Sequence, residues 1–206
     1  PDVPEITVIS NLNRDGIPVK ENEGLGSGEV VWHSDNSYVE TPPAGSFLRA
    51  LEVPPAGGNT SFTNQYLAYE DLSESYKEYL DSKVAIHSNL GVLILAGGEA
   101  KDAKEVEHPI FRTHPETGKK ILFVNWTYTQ RIVGLDKEES DAILKKIFEH
   151  QARLELTCRF TWTENTVCIC DNRSVIHFAI ADFYPERGLG HERIMDRIAI
   201  EGDQPH

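Results

Sequence analysis

Residues 156–172 read "LTCRFTWTENTVCICDN", two short runs rich in β-branched, aromatic and cysteine side chains with a polar turn between them. Runs of this length and composition, bounded by turn residues, are typical of β-strands. A third such run, "RIMDRIAIEG", occupies residues 193–202. Because these runs do not alternate regularly with helices, the sequence predicts a β-sandwich or barrel and argues against a doubly wound α/β fold.

The same strand pattern recurs through most of the chain and is interrupted by two helical regions. The strand candidates are residues 6–10, the run that carries His33, residues 45–54, the residues after the turn "PPAGGNTSF" (54–62), residues 84–88 and the hairpin "PIFRTHPETGKKILFVNW" (109–126). Helical spacing predicts two helices within residues 64–81, with Ser73 as a cap. It also predicts a helix over residues 136–152, with Asp136 at the N-cap and Glu139 completing a capping box. We therefore expect a mainly β fold with a few flanking helices.

The composition is that of a single mid-sized domain, and we expect residues 1–206 to form it. The three cysteines are odd in number and lack zinc-ribbon spacing, which favours a reducing, cytoplasmic location over a disulfide framework. No stretch is apolar over the roughly 18 residues that a membrane helix needs. The formal net charge of −13 opposes nucleic acids and anionic membranes, so neither is an expected partner. The sequence leaves open whether the chain forms a homo-oligomer.

The run "VVWHSDNSYV" (30–39) places His33 and Asp35 two positions apart in an apolar, aromatic setting. In a strand, side chains at i and i+2 emerge on the same face, so these two would point at one place. Both side chains are common metal ligands, and the pair therefore predicts part of a metal site. The alternative is a strand end at a surface turn, with His33 half-buried and Asp35 solvated or capping.

A third ligand would complete such a site. His177 follows a turn marked by Asp171 and Asn172 and lies in the apolar run "SVIHFAIADF" (174–183). Two histidines and one carboxylate on one face of an iron leave positions open for a cosubstrate and oxygen, as in non-haem Fe(II) oxygenases. The alternative is a core histidine with satisfied hydrogen bonds. The other histidines of the chain are His87, His108, His114, His150, His191 and His206.

The last predicted strand carries two arginines. Arg193, Met195, Arg197 and Ala199 share one face of this strand because side chains alternate. Two guanidinium groups on one face are costly to bury without anions, and their planar fork suits bidentate capture of a carboxylate or sulfonate. The alternative is a solvated edge where both arginines pair with acidic residues.

Five motifs occur in a characteristic order. They are His33-x-Asp35, "PPAGGNTSF", "HPIFRTHPETGKKILFVNWTYTQRIVGL" (108–135), "CDNRSVIHFAIADF" (170–183) and "ERIMDRIAIEGD" (192–203). Together they resemble the taurine dioxygenase family of Fe(II)- and 2-oxoglutarate-dependent oxygenases, from about Ile6 to Pro205. The resemblance implies a double-stranded β-helix, a jelly roll of two facing sheets with the iron between them.

The resemblance also implies roles for individual residues. His33, Asp35 and His177 would be the catalytic iron ligands, and the cosubstrates would be 2-oxoglutarate and O2. The distal carboxylate of 2-oxoglutarate would be held by Arg193, with a hydroxyl from Thr60. A buried carboxylate without such partners would be strongly unfavourable.

A further set of residues is expected to contact the primary substrate. Arg197 matches a position that meets the acidic group of the substrate in the family. Glu29 stands where an asparagine lies near the substrate in taurine dioxygenase, and a carboxylate there favours a substrate amine. Trp126 and Tyr128 complete the set. Residues 90–107 are rich in glycine and charge without a clear period, and we expect a mobile lid there.

The resemblance implies a dioxygenase that hydroxylates, or otherwise oxidises at an unactivated C–H bond, a small acidic or amino-acid-like substrate, with release of succinate and CO2. Two other classes stay open. One is a non-catalytic jelly-roll protein that binds an acidic metabolite, and the other is a cupin-like enzyme that uses another metal. Family members have more chain before the position of Pro1, so we expect an N-terminal segment to be lacking or residues to have been left out.

Overall fold

The computed structural model describes residues 3–13, 15–18, 31–183 and 191–206. Their strands are β1 (Thr7–Ser10), β2 (Gly45–Glu52), β3 (Thr60–Asn64), β4 (Val84–Ser88), β5 (Glu105–Pro109), β6 (Phe111–Thr113), β7 (Lys120–Leu122), β8 (Thr129–Ile132), β9 (Thr157–Phe160), β10 (Val167–Asp171), β11 (Val175–Ala179) and β12 (Ile194–Ile200). Their helices are α1 (Gln65–Glu70), α2 (Glu74–Leu80), α3 (Leu90–Leu95) and α4 (Lys137–Gln151), with 3-10 turns at Ala100–Asp102 and Leu154–Leu156. None of the helices in these ranges is long and apolar enough to cross a bilayer. The expected mainly β character is confirmed.

The first sheet has the strand order β1-β12-β2-β10, and all its pairs are antiparallel. Its strand β2 alternates as a half-buried strand should. Ser46, Leu48 and Ala50 are buried, whereas Phe47 and Arg49 are exposed. The sheet therefore has one inward face and one outward face.

A second sheet, with the order β11-β3-β9, packs against the inward face of the first. Leu48, Ala50 and Met195 of the first sheet form a core cluster with Trp162, and Phe160 of β9 packs against it partly buried. Facing sheets bury their alternate side chains in this way. The two sheets therefore enclose a shared apolar interior.

A third sheet, with the order β5-β4-β8, and the β6–β7 hairpin pack with α4 around a second core cluster. Ile132 of β8 is fully buried there, together with Leu144, Ile147 and Phe148 of α4. Ile143 packs against the cluster partly buried, so α4 presents one apolar face to the core. Burying each such side chain fully stabilises the fold by roughly 1.5–3 kcal/mol.

Both predicted helix caps are confirmed. The side chain of Ser73 accepts a hydrogen bond from the Tyr76 N–H at the start of α2, and Asp136 accepts one from the Glu139 N–H at 2.9 Å at the start of α4. The Glu139 carboxylate accepts a hydrogen bond from the Tyr79 hydroxyl at 2.7 Å. The Glu139 side chain therefore connects α4 to α2. The sequence had predicted that it would instead complete the capping box with Asp136.

The predicted strand at His33 is wrong. His33 forms a single β-bridge with His177, with one hydrogen bond in each direction at 3.0 and 2.8 Å, and the residues that follow form turns. Asn36 has a φ of 49°, in the left-handed region that a continuing strand does not use. The Asp35 N–H donates to the side chain of Asn172 at 2.7 Å, so the ladder ends there.

Residues 90–107 have more regular structure than their sequence indicates. They contain α3, a 3-10 turn and the start of β5. The sequence did not reveal α3 because six residues are too few to show a helical period, and none of its residues is buried. The lid role stays a prediction.

Replacing Asp136 with alanine should lower the free energy of unfolding by about 1 kcal/mol, because the N-cap bond to α4 is lost. Urea unfolding followed by circular dichroism measures this change. Asp141→Ala, on the exposed part of the same helix, is the matched control and loses only a surface ion pair with Lys137. Equal losses in the two variants would show that the cap bond does not contribute.

Candidate metal centre

Three side chains of metal-ligand type converge between the two facing sheets. His33, Asp35 and His177 each offer a ligand atom, these atoms lie within 4.8 Å of one another, and all three residues are buried. Asp35 Oδ1 lies 3.6 Å from His33 Nε2 and 3.9 Å from His177 Nε2. The structure thus brings together the three residues that the sequence singled out.

Backbone pairing sets the relative position of the two histidines. The bridge between His33 and His177 brings their ring centroids to 4.4 Å. On the other side, Phe62 of β3 lies opposite His177 in the ladder, and the two rings are 5.6 Å apart. The second sheet therefore extends to His33 through this single bridge.

Asn172 holds the turn that carries Asp35. Its Oδ1 accepts hydrogen bonds from the Asp35 N–H at 2.7 Å and from the Ser34 hydroxyl at 3.1 Å. Its Nδ2 donates to the carbonyl oxygens of Asp35 and Pro43 at 3.1 and 2.9 Å. The sequence marked Asn172 only as a turn residue, because a contact across 137 positions leaves no local signal.

Two side chains from the first sheet hold the Asp35 carboxylate. Ser46 Oγ donates to Oδ2 at 2.5 Å, and Arg197 Nη1 donates to Oδ1 at 3.1 Å. Sequence reasoning missed Ser46. The available signal was a single hydroxyl among the inward positions of β2, where Leu48 and Ala50 are apolar.

The protonation states of these groups suit metal binding. Burial by itself would raise the pKa of Asp35, but the hydrogen bond with His33 and the electrostatic influence of His177 and Arg197 hold that pKa well below its usual range. Burial and the neighbouring His33 lower the pKa of His177 to about 3. At neutral pH the carboxyl group is therefore ionised and the His177 imidazole neutral, which are the forms that bind metals.

A backbone carbonyl fixes one ring nitrogen of His33. Its Nδ1 lies 2.7 Å from the Val31 carbonyl oxygen, which can only accept a hydrogen bond. Nδ1 therefore donates to this carbonyl, and Nε2 is the ring nitrogen that faces Asp35. A carbonyl that fixes one ring nitrogen while the other binds a metal is a common outer-shell arrangement. The residues present fit a divalent metal of the first transition row, with two nitrogen donors and one oxygen donor.

A second group of residues joins a buried guanidinium group to a hydroxyl, and we call it the Arg193–Thr60 cradle. Arg193 is buried, its Nε donates to the Gly58 carbonyl at 2.9 Å, and its Nη2 donates to Thr60 Oγ1 at 3.3 Å. Trp162 Nε1 also donates to Thr60 Oγ1, at 2.9 Å. Because this oxygen already accepts two N–H groups, the hydroxyl proton of Thr60 is available for another acceptor.

Strand register places the cradle near the three ligands. In the β11–β3 ladder, His177 lies opposite Phe62, and Ala179 lies opposite Thr60. Opposed residues of an antiparallel pair point to the same face, and that face recurs every second residue. Thr60 and His177 therefore share one face and lie about 7 Å apart along the strands. This spacing suits a small molecule with one polar end at the ligands and a carboxylate at the cradle.

The turn "PPAGGNTSF" passes close to Arg193 at a glycine. Gly58 has a φ of +65°, and a Cβ atom there would lie 2.7 Å from Pro54 and 3.4 Å from Arg193. Only glycine allows both the backbone conformation and the close approach. The Gly58 N–H donates to Asp182 Oδ1 at 2.7 Å, which fixes the loop against the end of the second sheet.

Both predicted arginines turn inward. Arg193 lies one residue before β12 and is 7% exposed, and the Arg197 side chain is 18% exposed. Met195, between them, is 1% exposed, so the alternative of a solvated edge is wrong for the two arginines. Ala199, which the sequence placed on the same face, is exposed. Arg193 belongs to the cradle, whereas Arg197 lies at the Asp35 carboxylate.

The remaining predicted substrate residues are placed unequally. Tyr128 is buried, with its ring perpendicular to that of His33 at a centroid distance of 6.4 Å. Trp126 stacks on Phe148 of α4 at 4.8 Å, a contact that gives its predicted substrate role no support. Glu29 lies outside the residues that the structure describes.

The sequence also matches the model of a protein family, described as "Taurine catabolism dioxygenase TauD, TfdA family", over residues 1–198. This chain is a member of that family. The resemblance predicted from the motifs is therefore confirmed.

Individual relatives of the TauD/TfdA family agree with this membership. An alpha-ketoglutarate-dependent dioxygenase of Penicillium expansum is 36% identical over 201 residues, which cover 94% of this chain and 53% of the relative. The crystal structure of a taurine dioxygenase from Burkholderia xenovorans is similar with a TM-score of 0.79 and 33% identity, over 98% of this chain and 66% of that one. The structure of AAD-2 in complex with Mn(II) and N-oxalylglycine is similar with a TM-score of 0.84 and 27% identity, over 97% of this chain and 75% of that one.

These likenesses confirm the jelly-roll fold that the motifs implied. The chain spans about half the length of the curated relatives it matches.

Two other histidines form a separate buried pair next to the turn that carries Asp35. The rings of His87 and His108 have a centroid distance of 5.3 Å, and both residues are at most 2% exposed. Burial, followed by the proximity of His108, lowers the pKa of His87 to about 3. His114 lies elsewhere, with Nε2 at 2.9 Å from Asp171 Oδ2. The structure thus separates these histidines from the ligand set.

Acid should destabilise the metal-free protein through His87. Its pKa falls from 6.5 to about 3 on folding, so between these values the unfolded chain binds a proton that the folded chain does not. The free energy of unfolding therefore decreases as the pH drops below 6.5, by roughly 1.4 kcal/mol per pH unit for this group. Urea unfolding from about pH 7 to about pH 4 should show a shallower decline for His87→Asn. Parallel curves for variant and wild type would contradict this expectation.

Proposed function

We propose that this chain acts as an Fe(II)- and 2-oxoglutarate-dependent dioxygenase. It would hydroxylate, or otherwise oxidise at an unactivated C–H bond, a small acidic or amino-acid-like substrate, with release of succinate and CO2. One observation carries the proposal. A buried centre of two histidines and one carboxylate lies close to a buried arginine–threonine pair, because His177 and Thr60 share one face of the second sheet and are two positions apart in its register. Residues 1–206 would form a single oxygenase domain.

His33, Asp35 and His177 would hold the metal. Bound Fe(II) would supply the activation of O2, with 2-oxoglutarate as the two-electron donor. Three protein ligands leave the remaining positions for the cosubstrate and oxygen. Ser46 and Arg197 would keep the Asp35 carboxylate ionised and fixed in orientation through their hydrogen bonds.

The Arg193–Thr60 cradle would bind the distal carboxylate of 2-oxoglutarate. The guanidinium group supplies a permanent positive charge, and the Thr60 hydroxyl supplies a proton that its two N–H donors leave available. AAD-2 was crystallised with N-oxalylglycine. Like 2-oxoglutarate, that molecule has an oxo-acid group at one end and a carboxylate at the other, which supports a cradle for two-ended acids in this chain.

Arg197 would orient the acidic group of the primary substrate beside the metal. Its guanidinium already lies at 3.1 Å from Asp35 Oδ1, and a planar fork suits sulfonates as well as carboxylates. The Burkholderia relative is named a taurine dioxygenase, and taurine is an aminosulfonate. Tyr128, whose ring faces His33, would limit the space available on the other side. Holding one C–H bond in place is the main means by which such a site selects its product.

A reducing, cytoplasmic location belongs to the same proposal. Cys158, Cys168 and Cys170 are all free thiols. Burial raises the pKa of the Cys170 thiol to about 12, so this side chain stays protonated near the Asp35 carboxylate and is a poor nucleophile.

Anaerobic addition of Fe(II) and then 2-oxoglutarate should produce the weak visible absorption band of an iron-bound 2-oxo acid. His177→Ala should not show it, because one of the three ligands is missing. His150→Ala, a histidine on α4 that bonds to the Ala68 carbonyl, is the matched control and should keep the band. Iron binding without a band in the wild type would favour a binding protein or a cupin-like enzyme.

Substituting Arg193 and substituting Arg197 should have different effects on the kinetics of turnover. Arg193→Ala should raise the 2-oxoglutarate concentration needed for half-maximal turnover at least about tenfold, because a charge-assisted contact is lost. Arg197→Ala should mainly impair the primary substrate, measured as succinate release across a panel of sulfonates and carboxylates at matched iron content, because Arg197 also holds the Asp35 carboxylate. Arg49→Ala, on the outward face of β2, should behave as wild type. If both inward variants lost 2-oxoglutarate binding equally, the assigned division of roles would be wrong.

A further inference from the structure

Next to the turn that carries Asp35 lies a cluster of buried polar side chains, which we call the Ser37 cluster. It consists of Ser37, His87, His108, Asn125 and Thr129, and each of these residues is at most 6% exposed. We infer that this cluster positions Asp35 by anchoring the turn that follows it, and that it thereby sets the affinity of the site for metal. The inference rests on the proposed function in so far as the site binds a divalent metal.

Ser37 lies on the turn that carries Asp35, and the other members of the cluster make three hydrogen bonds to this part of the chain. His87 Nδ1 lies 3.0 Å from Ser37 Oγ, and Asn125 Nδ2 donates to the same oxygen at 2.9 Å. His108 Nε2 lies 3.0 Å from the Val39 carbonyl oxygen, to which it donates. These bonds join positions 50, 88 and 69 residues apart, so they fix the turn relative to distant parts of the chain.

The cluster is itself held rigidly. Thr129 Oγ1 lies 3.3 Å from His87 Nε2 and accepts a hydrogen bond from the Asn125 N–H at 2.9 Å. Asn125 Oδ1 accepts a hydrogen bond from the Tyr128 N–H at 2.9 Å. His87 and Thr129 also lie opposite each other in the β4–β8 ladder. A buried network whose members satisfy one another has little freedom to shift.

The turn needs such anchors because it has no ladder of its own. After the single bridge at His33, the chain forms no strand until β2 begins at Gly45. Hydrogen bonds from side chains elsewhere therefore determine where Asp35 lies. Asn172 holds the Asp35 peptide on one side, and the cluster holds Ser37, two residues further on, on the other side.

The chemistry of the cluster argues against a role in packing alone. The same third sheet fills its core with apolar residues such as Ala85 and Ile132. Burying hydroxyl, amide and imidazole groups gains little stability compared with apolar side chains, because each must exchange water for a protein partner. Buried polar groups give direction instead, and here three of their hydrogen bonds are directed at the turn that carries a ligand.

Direct metal binding tests the inference without turnover. Mn(II) is added to the metal-free full chain, and the free ion is measured by electron paramagnetic resonance. Ser37→Ala should weaken Mn(II) binding by about tenfold, because outer-shell partners of metal ligands typically contribute 10–100-fold. Ser140→Ala is the matched control. Ser140 is likewise buried, at 1% exposed, and lies on α4, away from the turn. Its hydroxyl accepts a hydrogen bond from the Ile132 N–H at 2.8 Å.

A pair of substitutions at His87 separates positioning from general stability. His87→Asn keeps an amide near the position of Nδ1 and should bind Mn(II) within about threefold of wild type, whereas His87→Leu should lose about tenfold. Thermal unfolding of the metal-free variants is measured in parallel. Ser37→Ala and Ser140→Ala should lose similar thermal stability and differ only in metal affinity.

The outcomes are distinct. Unchanged Mn(II) affinity in Ser37→Ala would overturn the inference, and so would equal losses of affinity in Ser37→Ala and Ser140→Ala. Equal losses in His87→Asn and His87→Leu would overturn the role of the hydrogen bond to Ser37. A wild type that bound no Mn(II) would remove the proposed metal site itself, and the inference with it.

Discussion

A buried carboxylate determines much of the rest of this structure. Asp35 is 3% exposed, and an ionised group in such a place is strongly unfavourable unless it is paired and hydrogen-bonded. Ser46 and Arg197 reach it from the first sheet, His177 approaches it from the second, and Asn172 holds its peptide group. The facing sheets and the turn between them bring all of these partners to one charge. A bound cation would complete this compensation.

Each of the three sheets contributes different residues to the site or to its surroundings. The first sheet supplies the groups that fix the charge of Asp35, and the second supplies His177 and Thr60 in a common register. The third sheet contributes no proposed metal ligand, but its residue His87 contacts Ser37 in the turn that carries Asp35. Metal and substrate sites need their ligands held to within about half an ångström, which rigid elements on several sides provide better than a loop alone.

The sequence could predict the parts of this structure that depend on near neighbours. Strands such as β9, β10 and β12 and the helix α4 follow from periodicity and capping within about 15 residues. The metal centre was reached through motifs, although the strand geometry first used to pair His33 with Asp35 was wrong, since Asp35 lies in a turn. Ser46 and Ser37 were missed because a lone serine has no period and its partners lie far away along the chain.

The single bridge between His33 and His177 has a consequence for how the site comes into being. It joins positions about 140 residues apart, and closing so long a loop costs conformational entropy that only extensive packing offsets. During synthesis Asp35 emerges long before His177, and domains generally complete their folding as units. His33, Asp35 and His177 therefore meet only when both sheets are nearly complete. A chain interrupted before β11 lacks His177 and therefore has only two of the three side chains of the candidate metal centre.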